Sequence, residues 1–156
     1  MPRSPTAPGR PARRDVLAGA AGVAIVLVAR PAAGALAPRT EAAIAKVLAG
    51  RAAVEGGIAL TLPAVAENGA IVPLTVSVES PMTPEDHVTA VHVFADRNPD
   101  PEVVVFRFTP ALGRAEATTR IRLSEGQTVI AVAERSTGAV HLARREVAVT
   151  VGGCGG

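Results

Sequence analysis

From Gly57 onward the chain is written in short apolar runs that alternate with polar residues, and a side-chain period of two admits little besides β-strands. Ile58, Leu60 and Leu62 alternate with Ala59 and Thr61, and Leu74, Val76 and Val78 with Thr75, Ser77 and Glu79. Each such strand has one face for a core and one for water. Asn68-Gly69 lies between these two runs as a turn. Val88 to Ala95 and Val103 to Phe108 form the next two runs, and Asn98-Pro99-Asp100-Pro101 connects them, since prolines lack the donor a sheet ladder needs. Thr119, Ile121 and Leu123 alternate with Thr118, Arg120 and Arg122; Val129 to Ala133 follows, and a last run ends in Val147, Val149 and Val151. Seven runs punctuated by turns predict an all-β antiparallel sandwich of about seven strands.

Ahead of these runs, Pro38 and Thr40 lead into Glu41 to Ala49, where Ile44, Val47 and Leu48 share one helical face and Gly50 stops the turn. This short N-terminal amphipathic helix is expected to cover an edge or end of the same domain's sheet. Further upstream, Arg13-Arg14 precedes the fourteen-residue apolar stretch Val16 to Ala29, which is short for a membrane span and has the layout of an export signal. The pair followed by Asp15, Val16 and Leu17 resembles a twin-arginine signal, with Val16 in place of the commoner Phe. Small-x-small sites at Ala33-Gly34-Ala35 and Ala35-Leu36-Ala37 place cleavage after Ala35 or Ala37. The chain therefore divides into a signal peptide (1–37), one sandwich domain (38–151) and a tail (152–156), and the mature protein is expected in the periplasm, free of the membrane.

Charge follows the same division. Residues 1–37 hold five of the 16 basic residues and one of the 14 acidic ones, so the mature domain keeps 11 and 13 and is slightly acidic. The basic isoelectric point thus belongs to the signal, not to a polyanion-binding surface. With no Trp, no Tyr and only Phe94, Phe106 and Phe108, the chain also lacks the rings on which single-stranded nucleic acid stacks.

The sole cysteine stands in the tail Gly152-Gly153-Cys154-Gly155-Gly156. A packed structural cysteine wants apolar neighbours, and this one has glycines. Glycine adds no bulk and accepts most backbone conformations, so the tail reads as a narrow arm able to enter another protein's pocket. Fully extended, Val151 to Cys154 would carry the sulfur roughly 10 Å beyond the domain. In an oxidising compartment a lone thiol has no internal disulfide partner, so Cys154 is expected to act between molecules. No basic residue adjoins it in sequence, which leaves its activation to whatever pocket receives it.

Other chemistry is poorly supported. His87, His92 and His141 with Cys154 hold the ligand types of a sandwich copper site, but no histidine or methionine follows the cysteine at the required spacing, and no metal or cofactor is expected. Glu85-Asp86 is the only adjacent acidic pair and follows Pro84, as solvated loop carboxylates do; Arg144-Arg145 reads as surface charge. Neither a nucleophile turn nor a phosphate-cradling glycine loop is present, so no catalytic residue is assigned and the chain is not expected to be an enzyme.

Val149-Thr150-Val151-Gly152-Gly153-Cys154-Gly155-Gly156 resembles the C-terminal signature of the SoxY family, the carrier proteins of bacterial thiosulfate oxidation. Ala66-Glu67-Asn68-Gly69 with Val72-Pro73, Asn98-Pro99-Asp100-Pro101, and Thr119-Arg120-Ile121-Arg122-Leu123 resemble family segments in the same order. The resemblance implies an immunoglobulin-like sandwich paired with a second small sandwich subunit, SoxZ. It implies Cys154 as the covalent attachment site for thiosulfate-derived sulfur, with Gly152, Gly153, Gly155 and Gly156 as the carrier arm. It also implies partner catalysts: a SoxXA-type haem enzyme that loads the thiol, a SoxB-type hydrolase that removes sulfate and, in some organisms, a SoxCD-type sulfane dehydrogenase. The competing reading is a structural subunit tethered to another chain by a stable disulfide through Cys154.

Overall fold

In a computed structural model, which describes residues 34–152, Pro38 opens the helix α1 (Pro38–Leu48) from an extended Ala37. Proline suits the first helical turn, where its missing N–H has no partner to lose, so α1 begins three residues before the run that sequence pattern marks out. Its end is a left-handed Ala49 (φ 48°), whose N–H bonds back to the Ala45 carbonyl; the reversal falls one residue before Gly50.

Among the described residues nine strands follow: β1 (Ala53–Glu55), β2 (Ile58–Thr61), β3 (Val65–Asn68), β4 (Val72–Val78), β5 (Val88–Ala95), β6 (Glu102–Arg107), β7 (Ala115–Ile121), β8 (Gln127–Arg135) and β9 (Val140–Val151). The larger sheet runs β1-β9-β8-β5-β6, with β3 also paired to β9; the smaller runs β2-β4-β7. All seven expected runs are strands. The two additional ones, β1 and β3, lie parallel to β9 at its two ends, so the sandwich is not purely antiparallel. The Asn68-Gly69 turn is present, with the Ala70 N–H on Asn68 Oδ1 at 2.8 Å, but it carries the chain from β3 in one sheet to β4 in the other.

Alternation sets the core. Leu74, Val76 and Val78 from β4 meet Val91 and Val93 from β5 and Val129, Ala131 and Ala133 from β8 between the sheets. The intervening residues of β8, Ile130 and Val132, face the other way and are equally buried, because they form an apolar face with Phe94, Val140 and Leu142 of the flanking strands and the helix residue Ile44 packs over it. Helix α1 therefore seats on the broad outer face of the larger sheet, not on an edge or end, and β8 is apolar on both sides because it is covered on both. The N-terminal approach is tied down as well: Leu36 packs on the same cluster, and the Ala37 N–H donates to the buried Asp96 carboxylate at 2.7 Å. Among the described residues no helix is long and apolar enough to cross a membrane. The proposed signal stretch, and Gly153 to Gly156, lie outside them.

Candidate functional site: the root of the C-terminal arm

β9 is the longest strand, twelve residues, and is held by three others along its length. β8 pairs it from Val140 to Val147, β1 from Val140 to Leu142, and β3 from Ala148 to Val151. β3 takes over where β8 stops, so the ladder reaches the last residue before the glycines. The Gly69 N–H, just past β3, donates to the Val151 carbonyl at 2.7 Å, and the Gly69 carbonyl accepts from the Leu123 N–H at 2.8 Å. Val151 is an apolar side chain left 61% exposed, and with it β9 delivers the chain from a fixed sheet to the protein surface.

Gly152, one of the expected arm residues, is described and stands against the carbonyl of Ser124; a β-carbon there would overlap that oxygen. Ser124 is fixed in turn: its N–H donates to Asn98 Oδ1 (3.0 Å) and its hydroxyl to the Arg97 carbonyl (2.9 Å). The expected attachment residue Cys154 and the arm residues Gly153, Gly155 and Gly156 fall outside the described part of the chain.

The remaining residues singled out by sequence are dispersed. His87 Nδ1 lies 3.1 Å from the Thr83 carbonyl, His141 Nδ1 3.2 Å from the Gly56 carbonyl, and His92 Nε2 3.2 Å from Glu134 Oε1. Among the described residues no group of three or more His, Cys, Asp or Glu is placed to hold a metal ion. The acidic pair is not simply solvated: Asp86 takes a two-pronged contact from Arg135, Nε to Oδ1 at 3.0 Å and Nη2 to Oδ2 at 2.7 Å, which ties the β4–β5 loop to the end of β8. Arg144 and Arg145 are exposed on β9, Arg144 lying 3.9 Å from Glu55.

Sequence reasoning missed one cluster. In an open cleft of about 800 Å³ beside α1, Arg51 pairs with Glu134, Glu134 with His92, and His92 Nδ1 lies 3.6 Å from Glu102. Burial opposes ionisation of Glu134, but the hydrogen bond and charge of Arg51, followed by those of His92, outweigh it and hold the carboxyl below its ordinary range. Arg51 also donates to the Val47 and Leu48 carbonyls, so the cluster closes the C-terminal end of α1 onto the sheet. These residues are 83 and 42 positions apart: the register of β5 against β8, with His92 opposite Val132, makes His92 and Glu134 diagonal neighbours, and the end of α1 brings Arg51 to them.

No curated protein matches the chain. Among solved structures, the sulfur carrier protein SoxY from Chlorobium limicola f. thiosulfatophilum matches with a TM-score of 0.61 at 30% identity, over 72% of this chain and 97% of that one. A superoxide reductase (neelaredoxin) from Ignicoccus hospitalis matches with a TM-score of 0.54 at 15% identity, over 59% and 78%, a likeness of fold alone. The family model of the sulfur oxidation protein SoxY matches residues 44–154, which takes in α1 from Ile44, all nine strands and Cys154. The chain belongs to the SoxY family.

Proposed function

We propose that this protein is a periplasmic sulfur carrier, non-catalytic in itself, which holds thiosulfate-derived sulfur covalently on Cys154 and presents it to the enzymes of thiosulfate oxidation. One observation carries the reading: in a member of this family, a strand clamped to its final residue runs straight into Gly-Gly-Cys-Gly-Gly. A rigid support with a narrow thiol-bearing extension suits delivery, because a site held on a regular element is presented more reproducibly than one on a loop.

In loading, the Cys154 thiol loses its proton, a sulfur–sulfur bond forms to the terminal sulfur of thiosulfate, and the two electrons released pass to a SoxXA-type haem enzyme. Hydrolysis by a SoxB-type enzyme then splits the bond between the sulfane and sulfonate sulfurs with water, releasing sulfate and leaving a persulfide on Cys154. A SoxCD-type dehydrogenase, where present, oxidises that sulfur further. The cofactors belong to these partners; this chain contributes the thiol and its support. Glycines flanking Cys154 keep the extension free of β-carbons as it passes along several pockets. A SoxZ-like subunit completes the carrier as a heterodimer, and a twin-arginine signal directs export.

The test is complementation. In a thiosulfate-oxidising strain lacking its own copy, the wild-type gene should restore growth on thiosulfate, and Cys154→Ser should restore none while accumulating to the same level. Undiminished growth with Cys154→Ser would rule out the carrier reading.

A further inference from the structure

We propose that Gly152 is the fixed foot of the arm and that Asn98 and Gln127 are positioning residues for it, setting the direction in which the chain leaves the domain. The use of that direction rests on the carrier reading; the foot itself rests on geometry alone.

Glycine at 152 is explained by a close approach, not by freedom of movement. Its Cα lies where any β-carbon would drive into the Ser124 carbonyl oxygen, and that oxygen belongs to backbone, which cannot swing away as a side chain would. The Ser124 backbone is itself braced. Asn98 Oδ1 accepts from the Ser124 N–H at 3.0 Å, and Asn98 Nδ2 donates to the Arg122 carbonyl at 2.8 Å, so one amide side chain grips residues on either side of Leu123. Gln127, 8% exposed, donates to Asn98 Oδ1 at 3.0 Å and accepts the Arg97 N–H at 2.6 Å, which fixes Asn98 from behind. Leu123, fully buried, donates to the Gly69 carbonyl, and Gly69 holds Val151. Residues 151 and 152 are thus located by two routes that meet at 122–124, one through Gly69 and one through Asn98.

Gln127 is buried and Asn98 half-buried, and amides with their hydrogen-bonding groups satisfied in this way favour one geometry, because a shift leaves the buried Gln127 donor or acceptor unpaired. The reach of Cys154 is then measured from residue 152, two links and about 7 Å when extended, not from Val151. Glycine at 152 answers to a contact within the domain, whereas glycine at 153 answers to the width of the arm, so the two are predicted to tolerate substitution differently.

The experiment uses the full mature chain carrying Ala59→Cys, an exposed site on the smaller sheet, with one nitroxide label on the introduced thiol and one on the native Cys154. The readout is the distance distribution from double electron–electron resonance, at a temperature where each variant's circular dichroism is native. Relieving the overlap moves the foot by roughly 1 Å to reach ordinary carbon–oxygen contact, and the two links beyond amplify that into a shift of several Å. Gly152→Ala and Asn98→Ala should each displace or broaden the distribution, whereas Gly153→Ala should match the parent. Asn98→Asp keeps the Oδ1 acceptor for Ser124 and Gln127 but removes the donor to Arg122 and sets a carboxylate oxygen against that carbonyl, so it should displace or broaden the distribution as Asn98→Ala does. A general loss of stability would move melting temperatures without producing this pattern. A parental distribution in both Gly152→Ala and Asn98→Ala, or equal broadening by Gly152→Ala and Gly153→Ala, would overturn the proposal. Sulfur plays no part in the readout, so a fixed foot on a chain that never acquires sulfur would refute the carrier reading alone.

Discussion

Ile44→Ala tests whether α1 is a working part of the domain. Ile44 is 6% exposed and is the buried apolar side chain of the helix, packed on Phe94, Ile130, Val132, Val140 and Leu142. Truncating a buried Ile to Ala costs about 2–5 kcal/mol, more where the vacated space cannot collapse. Here it can collapse or fill with water: α1 has an open cleft of about 800 Å³ on one side and another of about 340 Å³ on the other, the latter lined by Ile44 itself. The low end applies, about 2 kcal/mol, which for a domain of this size lowers the melting temperature by about 6–10 °C. Urea and thermal unfolding of the mature protein read the effect, with Lys46→Ala on the solvent side of α1 as a control expected within about 0.5 kcal/mol of the parent. A loss below about 0.5 kcal/mol for Ile44→Ala, no larger than a surface change, would mean that the helix does not rest on this sheet in solution and that its apolar face serves a partner instead.

Acid stability should depend on Glu134. Its folded pKa lies below the unfolded value, so it contributes stability that is complete above the ordinary glutamate range, about pH 4.3, and is lost as pH falls through the lower folded value. Glu134→Gln should therefore be less stable than the parent at neutral pH, with the gap closing as pH drops; a gap constant with pH, read by urea unfolding across that range, would refute the pairing with Arg51 and His92. Gly57 has a φ of +74°, and a β-carbon there would stand 2.8 Å from His141 Nδ1. Gly57→Ala should cost about 1–3 kcal/mol, and less in a His141→Ala background where the clash is gone; an undiminished penalty would place the whole cost in the backbone. Export should leave Leu36 as the first residue, because cleavage after Ala37 would remove both Leu36 from the α1 cluster and the donor that meets buried Asp96. N-terminal sequencing of periplasmic protein decides this, a start at Pro38 being the contrary result.

The parts of the fold that were legible are those that alternate. β4 and β7 each carry a wet face and a buried one, and their sequences say so; β5 matches its expected bounds, Val88 to Ala95, to the residue. β1 and β3 were illegible because Ala53-Val54-Glu55 and Val65-Ala66-Glu67-Asn68 bury almost nothing and are strands only through backbone bonds to β9. A strand stabilised by its neighbour's ladder leaves no hydrophobic period to read. The seat of α1 was misplaced for a related reason: the two-sided burial of β8 was visible in Val129-Ile130-Ala131-Val132-Ala133, but a run apolar on both faces does not say which element covers the second. At the arm, glycine composition pointed to Gly152 as a source of freedom, whereas its contact is with residue 124, a pairing that no local pattern encodes. The Arg51–Glu134–His92 cluster was hidden in the same way.

The most direct test of the account is the non-reducing intact mass of the protein isolated from the periplasm of thiosulfate-fed cells. The account predicts a family of species that differ by sulfur and by thiosulfonate, all located on Cys154, collapsing to a single unmodified mass on reduction and absent from Cys154→Ser. A thiol that is always bare, or one fixed cross-linked product with another chain, would contradict it.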